Sequence, residues 1–401
     1  MRWTFGAVGD VFVHRPDWAE AFAGSGDLLR RLDLVFGNCE GAYCDAPDFA
    51  PSAGWRVVAP RRCGSGLAAA GFHVMALANN HILDAGHEGL AQTISVLRGQ
   101  GIGTVGAGRN LAEARAPAVL ERHGVRIGFL SFASVYQAGY EARPTVPGLS
   151  PLRVHSHYYI PDWDAYGKVE PGVPPQVRTI PFPEDLEVLR DGVAALRQRA
   201  DVVVVSHHWG RAGEPATLTD YERTLGHASI DAGADIVLGH HHHFLRGVEI
   251  YRDRPIFYGL GHFVFDLPGL ETSLTPLEIE KLRAMGEHAI YPREGFPLLP
   301  FHPDARMTMV AVCDFAGSRL QSFGFVPCLI DGRNQARPLP PDGADWRAVV
   351  DYMARISAVA GIGSAYSTRP HAAAGGYVEV RPASAAHRLQ DEEPGALETP
   401  G

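Results

Sequence analysis

The stretch DIVLGHHHHFLRG occupies residues 235–247 and places four consecutive histidines, His240–His243, directly after an apolar segment. The apolar part, Asp235 to Leu238, is a short run typical of a buried β-strand. Imidazole is the commonest metal-binding side chain in proteins and a frequent proton shuttle near neutral pH. A histidine cluster on the turn after a strand therefore indicates a chemical site at a strand end.

Composition predicts a large globular protein that does not bind nucleic acid. Of 401 residues, 46% are hydrophobic, which suffices for one large core with an appended segment. The chain has 36 basic and 45 acidic residues, a formal net charge of −9. That balance, without a basic run, argues against a nucleic-acid partner.

Cysteine usage and hydropathy predict a soluble, cytoplasmic protein without a membrane partner. The five cysteines form no Cys-x-x-Cys pair, so we expect reduced thiols rather than a disulfide framework. No run of about 18 apolar residues occurs, so we expect no membrane span. These patterns leave the oligomeric state open.

Strand-like and helix-like segments alternate before residue 260, which predicts an α/β fold with a largely buried sheet. Two stretches, about 135–182 and 267–306, interrupt the alternation as insertions. The first contains aromatic residues that either clamp a substrate or pack their own loop: Tyr158, Tyr159, Trp163 and Tyr166.

The C-terminal third departs from the alternation. We expect a β-hairpin over 307–331 and a helix over 344–358. We assign residues 1–335 to one metal-dependent domain and 336–382 to a C-terminal helical extension. Residues 383–401 have the polar composition of a disordered tail.

Five polar clusters each follow a strand candidate. In an open α/β sheet, ligand sites form at the carboxyl ends of the strands, so we expect these clusters to converge. Carboxylate, amide and imidazole donors together suit divalent metals. The clusters are Asp10; Asn38 with Glu40; Asn79, Asn80, His81 and Asp84; His207 with His208; and His240–His243 with His262.

Several of these residues have a purely structural alternative. Asn38 can cap a helix, and Asp84 can cap the helix expected after it instead of pairing with His81. Side chains alternate along a strand, so only one of His207 and His208 can face the site, and we choose His208.

The same alternation divides the four-histidine run. His241 and His243 share one direction, whereas His240 and His242 share the other. Alternation alone leaves open which of the two pairs faces the site.

The order of the motifs resembles the CapA-like branch, named for capsule and poly-γ-glutamate synthesis, of the calcineurin-like metallophosphoesterase superfamily. The resemblance covers roughly residues 3–266 and continues more weakly to about 335. It implies a calcineurin-like four-layer α/β/β/α sandwich with a metal site at the strand ends. The motifs are GD (9–10), GNCEG (37–41), LANNHILDAG (77–86), SHHWG (206–210), IDAGADIVLGHHHHFLRGVEIY (230–251) and IFYGLGHFVFD (256–266).

The resemblance also implies roles for single residues. His81 matches the catalytic acid of the superfamily. Asn38 stands where the broader superfamily has a bridging aspartate, with Glu40 beside it. The residues assigned to metal are Asp10, Asn38, Glu40, Asn80, His208, His241 and His243.

Two departures weaken a two-metal centre. The superfamily begins with Asp-x-His, but Phe12 follows Asp10 at that spacing, and Asn38 replaces the bridging carboxylate. We expect one or two divalent ions (Ca, Mn, Fe or Zn), with a single or weakly held ion favoured. His242 and His262 stand where the family usually has proline and asparagine.

An imidazole-rich site that lacks the bridging carboxylate favours proton transfer. A divalent ion would stabilise the enolate that forms when a Cα proton leaves. Candidate acid/base pairs are His81 with Asp84 and His262 with Asp266, but sequence spacing does not show which carboxylate contacts which imidazole. The full set of candidate catalytic residues is His81, Asp84, His208, His241, His262 and Asp10.

We therefore predict a metal-dependent acid/base enzyme acting on a peptide or amino-acid polymer. The leading form is Cα epimerisation of a C-terminal residue in ribosomal or lasso-peptide maturation, because the resembling group includes a metal-dependent lasso-peptide epimerase. One alternative is hydrolysis, as a metallophosphoesterase or a γ-glutamyl hydrolase. Another is a non-enzymatic role in poly-γ-glutamate capsule synthesis.

Overall fold

Two large β-sheets and the helices that cover them form the fold. The computed structural model describes residues 1–160, 172, 174–295, 299 and 301–383. The strands are β1 (Arg2–Phe12), β2 (Leu34–Cys39), β3 (Ala42–Tyr43), β4 (Val58–Ala59), β5 (Val74–Ala76), β6 (Gly103–Val105), β7 (Ala107–Gly108), β8 (Ala118–Arg122), β9 (Val125–Ala133), β10 (Gly148–Leu149), β11 (Val154–Tyr159), β12 (Gln176–Pro181), β13 (Val202–His208), β14 (Ile236–His240), β15 (Val248–Tyr251), β16 (Arg254–Phe257), β17 (His262–Phe265), β18 (Met307–Ala316), β19 (Arg319–Ile330), β20 (Ala336–Pro338), β21 (Ser364–His371) and β22 (Gly375–Pro382). The α-helices are α1 (Gly26–Arg31), α2 (Leu67–Ala70), α3 (Gly86–Arg98), α4 (Leu111–Ala114), α5 (Pro183–Arg197), α6 (Asp220–Asp231), α7 (Leu270–Ser273), α8 (Pro276–Ala284) and α9 (Ala344–Val359).

Both large sheets contain a block of adjacent parallel strands. The first has the order β21-β22-β19-β18-β1-β2-β5-β6, with β17 parallel to the last residues of β1. The second has the order β15-β16-β14-β13-β9-β8, in which β9, β13, β14 and β16 are parallel. Parallel strands are covered on both faces, which explains their continuous apolar sequences.

The side chains of β13 show how the layers are built. Val202 and Val204 belong to the core between the two sheets, whereas Val203 and Val205 pack outward with Leu189 of α5. Helices α5 and α6 cover that outer face, and α1 to α3 contribute to the core on the far side of the first sheet. The structure therefore confirms the expected four-layer α/β/β/α fold.

The C-terminal part contains more strands than hydropathy indicates. The hairpin β18–β19 and helix α9 confirm the hairpin and the helix expected there. Residues 336–382, expected to be helical, also contain β20 and the hairpin β21–β22, which extends the first sheet. The strand β21 lies at the sheet edge and is largely exposed, so its polar sequence resembles a loop. Trp163, Tyr166 and the expected tail from 384 onward lie outside the described residues.

The cysteines and the helices agree with the predictions from cysteine spacing and hydropathy. All five thiols are buried and free of disulfide bonds. Within the ranges that the structure describes, no helix is both long enough and apolar enough to cross a membrane.

A close approach between β1 and β17 positions the first strand end. Asp10 is the register partner of His262 in β17 and of Asn38 in β2. Gly9 makes this approach possible, since a Cβ at that position would lie 1.8 Å from the carbonyl oxygen of Gly261. Both residues of the motif Gly-Asp at 9–10 are thus explained by the pairing.

Replacing Gly9 with alanine should force β1 and β17 apart. We expect Gly9→Ala to lower the free energy of unfolding by about 1–3 kcal/mol, the usual cost of overpacking, as measured by urea denaturation. Gly54→Ala is the matched control, because a Cβ at Gly54 would meet nothing within 4 Å. Equal unfolding midpoints for the two variants would show that the approach is not tight.

Candidate metal centre

Asp10 lies at the end of β1, completely buried, and receives contacts from both sheets. Asn38 donates from Nδ2 to Asp10 Oδ1 at 2.9 Å. The second sheet contributes His240, whose Nδ1 lies 3.6 Å from Asp10 Oδ1, and His243, whose Nδ1 lies 3.2 Å from Oδ2. Asn38 thus orients the carboxylate of Asp10.

A first set of possible ligands consists of Asp10, His243 and His262. Each offers a ligand atom, and these atoms all lie within 4.8 Å of one another. The rings of His243 and His262 are stacked, with centroids 4.3 Å apart. His262 belongs to this set because β17 pairs with β1, which sequence spacing alone does not indicate.

A second set consists of Glu40, His208 and His241, again within 4.8 Å of one another. Asn80 joins it, since its Oδ1 lies 2.7 Å from His208 Nε2. Glu40 stands between the two sets, with Oε1 3.7 Å from His208 Nε2 and 4.0 Å from His243 Nε2. Glu40 therefore occupies a position from which one carboxylate can serve both sets.

This geometry offers ligands for two ions, whereas the two departures from the superfamily pattern favour a single or weakly held ion. Phe12 and Asn38 remove two ligands of the superfamily pattern, but His262 and Glu40 supply an imidazole and a carboxylate in their place. Each set combines one carboxylate with two imidazoles. Such donors suit Mn, Fe or Zn better than Ca, which takes six to eight oxygen ligands.

Burial controls the charges of these groups. It opposes ionisation of Asp10, but His240 and His243 outweigh it and hold the pKa of Asp10 well below its usual value. Burial, followed by the charge of Asp10, raises the pKa of Glu40 well above its usual value.

The imidazoles are suited to bind a metal ion. Burial, with a smaller contribution from neighbouring histidines, lowers the pKa values of His208, His241 and His262 well below the usual value. These three histidines are therefore neutral at pH 7, and the neutral ring is the form that binds metals.

Unsatisfied polar atoms test whether the residues fit a metal. Among the described residues, both Glu40 carboxylate oxygens and ring nitrogens of four site histidines are buried without a hydrogen-bond partner; those histidines are His208, His240, His241 and His262. A buried polar atom without a partner costs about 1–3 kcal/mol. So many in one place, all of ligand type, fit a centre that holds divalent ions.

His81 and Asp84 form a pair close to the second ligand set: after burial, the charge of Asp84 contributes to the raised pKa of Glu40, and that of His81 to the lowered pKa of His241. His81 Nδ1 donates to Asp84 Oδ2 at 2.8 Å. The completely buried Asp84 also accepts from Tyr140 Oη at 2.8 Å and from the backbone N–H of Val57 at 2.8 Å. The helix-cap alternative for Asp84 is wrong, because the N-cap of α3 is Ala85 and has no side-chain cap.

The remaining histidines of the motifs face elsewhere. His207 stacks on Trp209 with centroids 4.6 Å apart and lies 3.0 Å from Ser229 Oγ, so it packs as expected. His242 contacts Glu222, a residue that its motif does not indicate.

Asp266, the candidate partner of His262, pairs with Arg15 instead. It forms a two-pronged ion pair with Arg15, in which Nε donates at 2.8 Å and Nη2 at 2.5 Å. Asn334 Nδ2 also donates to Asp266 at 3.0 Å. These partners hold the carboxylate, and Asp266 belongs to neither ligand set.

A third cluster of possible ligands lies in the second insertion. Glu287, His288 and His302 offer atoms within 4.8 Å of one another. However, His302 Nδ1 accepts from the backbone N–H of Asp304 at 3.0 Å, so its ring proton is on Nε2, which faces Glu287. We therefore assign no metal to this cluster.

Two adjacent ligand sets predict two bound ions. We expect the metal-free chain to bind two Mn²⁺ ions in equilibrium dialysis, and His262→Ala and His241→Ala each to keep one, because each substitution removes a ligand from one set. His123→Ala should still bind two, since His123 pairs with Asp33 outside the centre. If either single variant abolished all binding, the sets would not be separate.

Relatives of known sequence match between 49% and 66% of the chain. The protein y4sH of Sinorhizobium fredii is 33% identical over 314 residues, 66% of each chain. PGA biosynthesis protein CapA of Bacillus subtilis is 33% identical over 196 residues, 49% of this chain and 43% of CapA. Capsule biosynthesis protein CapA of Bacillus anthracis is 32% identical over 217 residues, 54% of this chain and 46% of CapA. The chain thus spans just under two thirds of y4sH and less than half of either CapA protein.

Solved structures give only distant likenesses. A hypothetical protein from Thermus thermophilus is 16% identical, with a TM-score of 0.44 over 84% of this chain and 100% of its own. The calcineurin-like phosphoesterase YfkN of Bacillus subtilis is 12% identical, with a TM-score of 0.38 over 89% and 98%. Neither score is high enough to support an argument about this site.

The match to a family is more extensive. Residues 4–267, which include both ligand sets and the His81–Asp84 pair, match the family described as bacterial capsule synthesis protein PGA_cap. This segment is more than half of the chain. The chain therefore belongs to the PGA_cap family of bacterial capsule synthesis proteins.

Proposed function

We propose that the chain is a metal-dependent acid/base enzyme that hydrolyses an amide-linked amino-acid polymer, with His81 as its proton-transfer group. One observation carries the proposal: two adjacent ligand sets lie beside the His81–Asp84 pair, with Glu40 between them. Divalent ions held by these sets would activate water and polarise the bond to be cleaved.

His81 is oriented to give or take a proton. Since Nδ1 donates to Asp84, Nε2 is the nitrogen left to act on a substrate. Tyr140 and the Val57 amide hold Asp84 in place, so the imidazole keeps one tautomer and one direction. Such positioned general acid–base catalysis contributes typically about 10²–10⁴-fold to a rate.

The substrate class is inferred from the family. The two CapA relatives carry names of PGA and capsule biosynthesis, and the family takes its name from poly-γ-glutamate. We therefore propose a γ-glutamyl amide as the bond that is cleaved. The match spans less than half of either CapA protein, so the activity of those whole proteins is not transferred to this chain.

Cα epimerisation of a peptide, as in lasso-peptide maturation, is the second candidate. The His81–Asp84 pair favours it, because an oriented imidazole beside a metal centre can remove a proton next to a carbonyl group. Inversion also needs a second acid/base group on the opposite side of the carbon. The added histidines do not supply it, because His262 lies in a ligand set and His242 contacts Glu222. Hydrolysis is therefore the reaction that the geometry supports best.

Removal of the His81 imidazole should abolish most activity without loss of metal. With Mn²⁺ and poly-γ-glutamate, we expect the wild type to release new chain ends, and His81→Ala to do so about 10²–10⁴-fold more slowly. His87→Ala, an exposed histidine on α3, is the control and should keep full activity. Both variants should bind as much Mn²⁺ as the wild type.

The same reactions run in D2O separate the alternatives. If deuterium appears at a Cα of a test peptide and the peptide is not cleaved, the enzyme is an epimerase and not a hydrolase. If an aryl phosphate is hydrolysed but neither peptide nor polymer is changed, the enzyme is a metallophosphoesterase. Polymer binding without any turnover would favour a non-enzymatic role in capsule synthesis.

A further inference from the structure

His242 is the member of the histidine run that points away from both ligand sets. Its ring is 1% exposed, and Nε2 donates to Glu222 Oε1 at 2.9 Å. In the chain it stands between His241 and His243, one ligand of each set. A contact that fixes His242 therefore acts on both neighbouring imidazoles.

Glu222 is itself held rigidly. Its Oε2 accepts from both the backbone N–H and the hydroxyl of Thr219, each at 2.7 Å. These bonds form the capping box at the start of α6, and Glu222 has no exposed surface. The hydrogen bond from His242 thus ends on the first turn of a packed helix.

The same hydrogen bond lies against the end of β13. Gly210, two residues after His208, has φ of +81°, and a Cβ there would lie 2.1 Å from His242 Nε2 and 2.6 Å from Glu222 Oε1. Glycine leaves the space that the bond needs. The contact consequently joins three elements: the turn that contains His241–His243, helix α6, and strand β13, which carries His208.

The turn needs such a restraint because its backbone is strained. His241 and His243 have φ values of +96° and +62°, a region that side chains other than glycine rarely adopt. Such conformations persist only where the surroundings fix them. On the far side of the turn, the buried Arg246 donates to the backbone carbonyls of Arg211 and Thr217, so the turn is held at both ends.

We propose that His242 is a positioning residue, which through its hydrogen bond to Glu222 holds His241 and His243 in the left-handed conformation that aims them at the two ligand sets. The proposal rests on the metal-binding part of the proposed function.

Direct measurement of metal affinity tests this role. Titration calorimetry with Mn²⁺ should give His242→Ala a dissociation constant about 10- to 100-fold above that of the wild type, the usual effect of removing a group that orients metal ligands. His242→Gln should stay within about threefold, because its amide nitrogen can replace Nε2 as the donor to Glu222. The matched control is His227→Ala, which removes a histidine–glutamate contact on the same helix, to Glu249, and should change nothing.

Hydrogen exchange of the metal-free proteins gives a second readout. Amides of residues 240–244 should exchange faster in His242→Ala than in the wild type or in His227→Ala. Equal affinity and equal exchange in His242→Ala would overturn the proposal, and so would a His242→Gln variant as weak as His242→Ala. If the wild type binds no Mn²⁺, the proposed metal-dependent function is wrong, and the positioning role of His242 is wrong with it.

Discussion

The burial of two carboxylates among imidazoles is the interaction on which the site depends. Asp10 and Glu40 have no exposed surface, and an uncompensated charge at such depth costs several kcal/mol. The first sheet supplies these carboxylates, and β13 with the turn after β14 supplies His208, His241 and His243. The site therefore exists only while the two sheets are packed together, so the apolar core and the chemistry stabilise the same arrangement.

Much of this arrangement follows from the sequence. Continuous apolar strands predict buried parallel sheets, and parallel strands bring their carboxyl ends to one edge. That rule places Asp10, Asn38 and Glu40 together, and it does so without knowledge of the strand order. The alternation of side chains likewise separates His208, in a ligand set, from His207, which packs on Trp209.

The other parts of the site depend on contacts between distant residues, which the spacing of motifs in the sequence does not reveal. His262 reaches Asp10 because β17 pairs with β1, although the two residues are 252 positions apart. Glu222, the partner of His242, lies on a helix that no motif marks. Asp266, four residues after His262, binds Arg15 instead, because the pairing of β17 with β1 places it beside the residues that follow β1. In each case the tertiary pairing of distant elements decides the partner.

Two ions bound in adjacent ligand sets, with Glu40 between them, are expected in the metal-loaded protein. Anomalous diffraction tests this most directly. Crystals grown with Mn²⁺, measured at the manganese absorption edge, should show two peaks. One should lie among Asp10, His243 and His262, and the other among Glu40, His208 and His241. A single peak, or peaks confined to the cluster of Glu287, His288 and His302, would contradict the account.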